Sequence, residues 1–238
     1  MRSKKSIPPR PWTSLYLFGL LAVVFMLAAC GGSSNTPTAQ QLITNARSAI
    51  QKVKSYHINL AVDNPGNNGT LTITSADGDI LVPDKFKATT KVLVFGSIAQ
   101  VQYIAIGANE YITDPVSGKW GTASNLLDPR TLTDPQTGVA GILGHIQNPS
   151  TPSDSNVDGR SCWSINGTLD AKYLAAIIGG SSAPAGSMVA VTTCIGKSDN
   201  LPYLMRFTGV AAQGDLNKTA RTFKLSKFNE SLTITAPI

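Results

Sequence analysis

The chain has 238 residues, of which 42% are hydrophobic, and carries a formal net charge of +6. Four of its 20 basic residues precede residue 12, so the rest of the chain holds 16 basic and 14 acidic residues, a balance of only +2. With no basic run in that remainder, the sequence lacks the electrostatic footprint of a nucleic-acid-binding protein. The length fits one domain of ordinary to large size.

The N-terminus has the three parts of a secretory signal peptide. Residues 1–11 are basic without an acid, residues 12–29 are almost wholly apolar, and small residues precede the expected cleavage site. The tetrapeptide Leu27-Ala28-Ala29-Cys30 resembles the bacterial lipobox, whose cysteine is acylated on sulfur, for example with palmitate. The peptide before it is then cut away, and the new N-terminus is usually acylated too. The resemblance implies a lipid anchor at Cys30. The alternative is an uncleaved anchor helix that ends in a chance cysteine.

Three segments follow from this interpretation. Residues 1–29 form the signal peptide, residues 30–39 the lipidated cysteine and a flexible tether rich in Gly, Ser and Thr, and residues 40–238 a single domain. The domain lacks a second run of about 20 apolar residues that could span a bilayer. We therefore expect a domain held at the extracytoplasmic face of the cell membrane in a bacterial envelope.

Apolar periodicity predicts an α+β fold. Apolar residues at helical spacing predict a helix over 39–54, and the period then changes to two. Turn residues separate the predicted strands, which cover 56–62, 70–74, 85–95, 99–106, 110–113, 160–167, 187–195, 204–210, 221–227 and 232–236. Asp170 is expected to cap a short helix over 171–178. We predict one antiparallel sheet with a few helices on one side.

A glycine-rich helix interrupts the strands. Asp134 followed by Pro135 is a good helix start, and Val139, Ile142, Leu143 and Ile146 then recur at helical spacing. The glycines at 138, 141 and 144 weaken such a helix. Either they allow close packing on the sheet, or the helix is a weak apolar gate that moves aside for a ligand.

The cysteine count agrees with an oxidising compartment. If Cys30 carries lipid, Cys162 and Cys194 remain as an even pair, and we predict that they form a disulfide. The alternative is two buried free thiols.

The residues that could perform catalysis are few, and we predict a non-enzymatic protein without a metal or cofactor. The chain has two histidines, His57 at the start of a strand and His145 on the glycine-rich helix, and no HExxH, GxSxG, P-loop or CxxC motif. Residues 154–159 match the start of an EF-hand loop, but Ile165 stands where the bidentate glutamate is required. We therefore expect an acidic turn there.

Short segments throughout the domain resemble the LppX/LprAFG family of bacterial lipoproteins. They are Gly78-Asp79-Ile80, Pro83–Lys87, Asp134–Val139, Val157-Asp158-Gly159, Ile165–Thr168 and Leu232–Pro237. The resemblance implies a U-shaped antiparallel half β-barrel, with helices over its concave face enclosing an apolar cavity. It also implies that the protein binds acyl lipids or glycolipids and carries them across the cell envelope, with a membrane lipid exporter as a candidate partner. The cysteine pair and residues 196–202 depart from the family pattern.

Candidate cavity residues are apolar positions on the helix and on the predicted strands. They are Leu71, Ile73, Val92, Val94, Val101, Tyr103, Val139, Ile142, Leu143 and Ile146. A one-residue slip in register would turn the strand positions outward, and each position could equally belong to an ordinary core. A rival function also stays open: a structural or adaptor lipoprotein that binds a partner protein in the envelope.

Overall fold

The computed structural model describes residues 36–66, 71–94, 96–124, 126–178 and 183–238. The predicted signal peptide and Cys30 lie outside these residues, so the lipid anchor stays a prediction. Residues 37–238 form one compact unit. No helix in the described part of the chain is long and apolar enough to cross a bilayer.

The described residues form one eleven-stranded antiparallel sheet, as expected for a half β-barrel of the α+β class. Its strands are β1 (Ser55–Asp63), β2 (Leu71–Leu81), β3 (Lys85–Val94), β4 (Ser97–Ile106), β5 (Asn109–Thr113), β6 (Trp120–Ala123), β7 (Ser153–Val157), β8 (Arg160–Asp170), β9 (Met188–Gly196), β10 (Pro202–Thr208) and β11 (Ala220–Ser226). The spatial order is β6-β5-β4-β3-β2-β1-β11-β10-β9-β8-β7. Thus β1 and β11 join two runs of consecutive strands at the centre.

The helices are short and lie in three places along the chain. They are α1 (Ala39–Ile50), α2 (Pro129–Thr133), α3 (Val139–Gly144), and a 3₁₀ turn (Ala171–Leu174) that continues into α4 (Ala175–Ile178). Thr38 begins α1 with a capping box, in which its hydroxyl accepts the Gln41 N–H and the Gln41 side chain accepts the Thr38 N–H. As predicted, Asp170 caps the 3₁₀ turn by accepting the Lys172 N–H.

Alternation along the strands separates an inner face from an outer face. On β1, Tyr56 and Leu60 are buried, whereas His57 points to the other side. Leu60 pairs with Phe223 of β11, which is also buried, so the same face continues across the centre of the sheet. We call the face that carries Tyr56, Leu60 and Phe223 the inner face.

The predicted helix start at Asp134 is wrong. Asp134 instead ends α2, and its carboxylate accepts the N–H groups of Gln136 at 2.8 Å and Thr137 at 2.9 Å. An aspartate side chain that closes a local turn competes with helix formation, so α3 begins only at Val139. Helix α2, which the sequence did not reveal, precedes this turn and is capped by Asp128.

The predicted strand over 232–236 is also wrong: this segment pairs with no strand of the sheet. Strand β1 pairs with β2 on one side and β11 on the other, so both of its edges are occupied. Beyond β11 the chain turns at Asn229, whose φ is +62°. Ile234 is nevertheless buried, which explains the alternation of apolar residues there.

The structure contains the Cys162–Cys194 disulfide, on the outer face of the sheet. Cys162 pairs across the ladder with Gly196 and Cys194 with Ser164, so the two cysteines are diagonal neighbours on β8 and β9. Their Cα atoms are 5.6 Å apart, inside the usual range for a disulfide. The bond ties together two strands that are already hydrogen-bonded, at a sequence separation of 32 residues.

We expect the double variant Cys162→Ser/Cys194→Ser to lower the free energy of unfolding by about 3–4 kcal/mol, because the bond restricts the unfolded chain. Urea denaturation of the secreted domain, residues 31–238, measures the change. A thiol assay on the denatured domain should find no reactive thiol, and two reactive thiols would contradict the disulfide.

Candidate apolar ligand site

Residues 126–147 cross the inner face of the sheet and form the layer above it. Two strand side chains hold the start of this segment: Glu110 accepts the Leu126 N–H at 2.9 Å, and the Tyr103 hydroxyl donates to the Leu127 carbonyl at 2.8 Å. Burial raises the pKa of Tyr103, with the nearby Glu110 carboxylate adding to the shift. The phenol therefore stays protonated and remains a donor.

The far end of the segment is also tied to the sheet by hydrogen bonds. Gln147 and Thr168 exchange backbone N–H···O bonds of 2.8 and 2.9 Å, as in an isolated antiparallel bridge. Between the two ends, the Thr133 hydroxyl donates to the Pro83 carbonyl at 2.7 Å, and Arg47 of α1 donates to the Ala140 carbonyl at 3.0 Å.

The four helix candidates lie in this layer and pack into the main core. Ile142 and Leu143 are fully buried and Val139 nearly so, while Ile146 is partly buried against the same cluster. Ile73 and Tyr103 of the sheet belong to that cluster or contact it. Six of the predicted positions therefore belong to one apolar core cluster or pack against it.

The register places the described strand candidates on the inner face. Val92, Val101 and Tyr103 are buried there, and Val94 is half-buried. A bulge between Ile73 and Ser75 inserts one residue into β2, which turns Ile73 to the same side as Val92. The backbone of Leu71 pairs with Val94, but its side chain lies outside the described residues.

Val92, Val94 and Val101 occupy a different part of the inner face from the helix candidates. They lie toward the end of the half-barrel where β3 ends and β4 begins, outside the core cluster under α1 and α3. The predicted cavity positions thus form two sets along one apolar wall: valines near this end, and the packed core beyond them.

An apolar cleft opens at the other end, where β1 begins and α1 ends. Its volume is about 30 Å³, which is room for about two water molecules. Its lining includes Ile50, Val53, Tyr56, Val82, Leu132 and Val139. Of these, the sequence indicated only Val139 as a cavity residue. Ile50 and Val53 carried a usable signal, the apolar face of α1, whereas Leu132 sits on the helix that the sequence did not reveal.

Side chains fill the space between α3 and the sheet in this structure. The helix layer packs directly on the sheet, and Ala105, Ile142 and Leu143 are completely buried. An acyl chain could lie between this layer and the sheet only if α3 or its neighbours moved away from the inner face.

The glycines of α3 pack against the chain itself rather than against the sheet. A Cβ at Gly141 would lie 1.9 Å from the Gln136 carbonyl oxygen, and one at Gly138 would lie 2.2 Å from that of Leu132. A Cβ at Gly144 would meet the Arg47 guanidinium. Close packing therefore accounts for all three glycines, but the partners are the α2–α3 turn and α1.

The remaining sequence candidates have structural roles. Asp158 and Gly159 adopt positive φ angles and form the tight turn between β7 and β8, so residues 154–159 are a hairpin and not an EF-hand loop. His145 follows α3 and stacks on Tyr173, with ring centroids 3.6 Å apart. His57 contacts the carboxylates of Asp77 and Asp79 on the outer face. Within the described residues, no group of three or more His, Cys, Asp or Glu side chains is arranged to hold a metal ion.

The sheet and its apolar layer define the class of protein: a half β-barrel with helices packed on its inner face. The LppX_LprAFG lipoprotein family model matches residues 38–234. The lipoprotein LprA of Mycobacterium tuberculosis is 25% identical over 236 residues, covering 92% of this chain and 94% of LprA. The lipoarabinomannan carrier protein LprG of Mycobacterium leprae is 24% identical over 169 residues, covering 65% of this chain and 70% of LprG.

A solved structure shows the same fold. The crystal structure of LprF from Mycobacterium bovis superposes with a TM-score of 0.67 at 20% identity, covering 84% of this chain and 96% of LprF. The chain belongs to the LppX_LprAFG lipoprotein family.

We expect Gly141→Ala to destabilise the domain by about 1–3 kcal/mol, because the added methyl group must displace the Gln136 carbonyl. An alanine in a helix would otherwise be favourable by up to about 1 kcal/mol. The matched control is Gly121→Ala on β6, where a Cβ would meet no atom within 4 Å. Thermal unfolding measures both, and equal stability of the two variants would refute this packing account.

Proposed function

We propose that this protein is a membrane-anchored carrier that binds acyl lipids between the inner face of the sheet and helix α3 and moves them across the cell envelope. The observation that carries the proposal is the apolar wall that continues from Val92 and Val101, past Tyr103, to the cleft at Val139. A carrier of this kind performs no chemical reaction.

The layer over this wall is suited to opening. Helix α3 has six residues, and hydrogen bonds tie its segment to the sheet mainly near Leu126, Leu127 and Gln147. Between these points the contact with the sheet is largely apolar. An acyl chain that replaced α3 on the wall would bury comparable apolar surface, worth roughly 25 cal/mol per Å², so opening and filling could nearly offset each other.

The family supports a lipid ligand, since LprG is named a lipoarabinomannan carrier. We propose that Cys30 carries the lipid anchor and that the domain faces the extracytoplasmic side. A membrane lipid exporter would be a fitting partner, because a carrier on a tether needs a source of lipid at the membrane.

One observation favours a second candidate, an adaptor lipoprotein that holds a partner protein. The cleft of about 30 Å³ is too small for any acyl chain, and a permanently closed core needs no ligand. The two functions differ in whether a lipid copurifies.

Native mass spectrometry of the domain, residues 31–238, secreted from a lipid-containing host, distinguishes them. For the carrier we expect bound masses that organic solvent releases and that match lipids with two or three acyl chains. A lipid-free domain that also takes up no added lipid would contradict the carrier and favour the adaptor.

A pair of variants tests whether the inner wall holds the ligand. In Val92→Thr/Val101→Thr the size of the side chains is kept, but two hydroxyl groups face the acyl chain. Since each hydroxyl buried without a partner costs about 1–3 kcal/mol, we expect lipid occupancy to fall at least tenfold. The control Leu93→Thr/Gln102→Thr changes the adjacent residues, which point to the outer face, and should keep its lipid.

A further inference from the structure

Most of the exposed large apolar side chains lie at one end of the sheet. Among the described residues six such side chains are exposed, and Ile98, Val116, Met188 and Leu216 lie where strands begin or connect at the end to which β1, β3, β5 and β10 run. Ile98 is 70% exposed and Val116 94%. We call these four residues the apolar rim. Of the other two exposed side chains, Leu126 lies beside Glu110 at the start of β5, at the opposite end, and Ile238 is the last residue of the given sequence.

The strand pairing places rim residues from distant parts of the chain at nearly the same position along the strand direction. Ala99, next to Ile98, pairs with Val92, and Val92 pairs with Ile73. Across the centre, Asp63 pairs with Ala220, which pairs with Thr208, and Thr208 pairs with Ala190, two residues after Met188. The four rim residues therefore lie at the same end of the strands, on both sides of the central strand β1.

The charges beside the rim are mostly basic. Lys91, Lys119 and Lys218 lie on the strands and loops of this end and are exposed. None of the three is in an ion pair among the described residues, where the carboxylates of Asp63, Asp170 and Asp215 at the same end each pair with a cation. One exposed carboxylate, that of Asp114, is not in an ion pair and instead accepts the N–H groups of its own turn.

A buried ion pair fixes the loop that carries part of this surface. The Arg221 guanidinium donates two hydrogen bonds, of 2.6 and 2.8 Å, to the Asp215 carboxylate, whose side chain is fully buried. The same carboxylate accepts the N–H groups of Ala211 and Ala212. The loop therefore presents Leu216 and Lys218 from a firmly held backbone.

We propose that the apolar rim is a membrane-docking surface, at which the domain contacts an anionic lipid bilayer. Exposed apolar side chains combined with unpaired lysines are the chemistry of interfacial binding: the apolar tips enter the boundary of the acyl region, and the lysines approach anionic head groups. The valines of the inner wall, Val92, Val94 and Val101, lie at the same end. A docked rim would therefore bring the apolar wall next to the bilayer. This inference does not depend on whether the domain retains a lipid during purification.

Flotation of the domain, residues 31–238, with vesicles tests the proposal without the anchor at Cys30. The vesicles contain phosphatidylcholine alone or with 30% phosphatidylglycerol. We expect binding to the anionic vesicles, weakened by 0.5 M NaCl because salt screens surface charge. Absence of binding, or equal binding to both compositions at both salt concentrations, would overturn the proposal.

Two variants with matched controls assign the binding to the rim. Lys91→Gln/Lys119→Gln/Lys218→Gln should weaken binding on the order of a hundredfold, since each surface lysine contributes about fivefold. Its control, Lys52→Gln/Lys54→Gln/Lys227→Gln, removes three lysines from the opposite end and should bind as the unaltered domain does. Equal weakening by both would overturn the assignment to the rim.

The apolar variant Ile98→Ser/Val116→Ser/Met188→Ser/Leu216→Ser should also lose binding, whereas Leu126→Ser, at the opposite end, should keep it. Circular dichroism verifies that each variant is folded. If the rim serine variant is folded and still binds anionic vesicles like the unaltered domain, the rim does not contact the bilayer. The lysine variants are all surface changes, so they test the proposal even if the serine variant fails to fold.

Discussion

The domain depends on the burial of the inner face of its sheet. An antiparallel sheet of eleven strands has an apolar side that must be covered, and here short helices cover it in place of a second sheet. Apolar burial is not directional. It therefore requires apolar side chains at the contact but does not determine which of them must touch. Residues such as Ile142, Leu143 and Tyr103 could contact each other or an acyl chain with similar gain. In the proposed carrier, the same apolar interaction would serve both folding and lipid binding.

Polar interactions restrict where this contact can open. Glu110 and Tyr103 hold the chain at Leu126 and Leu127, and the Gln147–Thr168 bridge holds it beyond α3. A buried hydrogen bond that is broken without a new partner costs about 1–3 kcal/mol, so these ends resist separation. The segment between them gives up mainly apolar contacts, which a ligand can replace. Hydrogen bonds therefore hold the two ends of the segment, and apolar contacts hold the part between them.

Sequence periodicity predicted the fold class and most strands because alternation and turn residues are local signals. The prediction failed where the same local pattern is compatible with two structures. Asp134 is a good helix cap, but it closes a turn in this chain, and the alternation over 232–236 buries Ile234 without forming a strand. The side on which Ile73 lies depends on the bulge before Ser75, which is set by pairing with β3 and leaves no mark in the sequence of β2 alone.

The candidate site was predictable in its residue types but not in its arrangement. The apolar positions at 139, 142 and 143 were visible from their spacing, whereas the cleft also uses Val82 and Leu132, which come from unrelated segments. Such convergence is a tertiary property. The rim shows the same limit, since Ile98 and Leu216 are 118 positions apart and become related only through the order of the strands. The strand order that builds the apolar wall therefore also determines which end of the sheet carries the apolar rim.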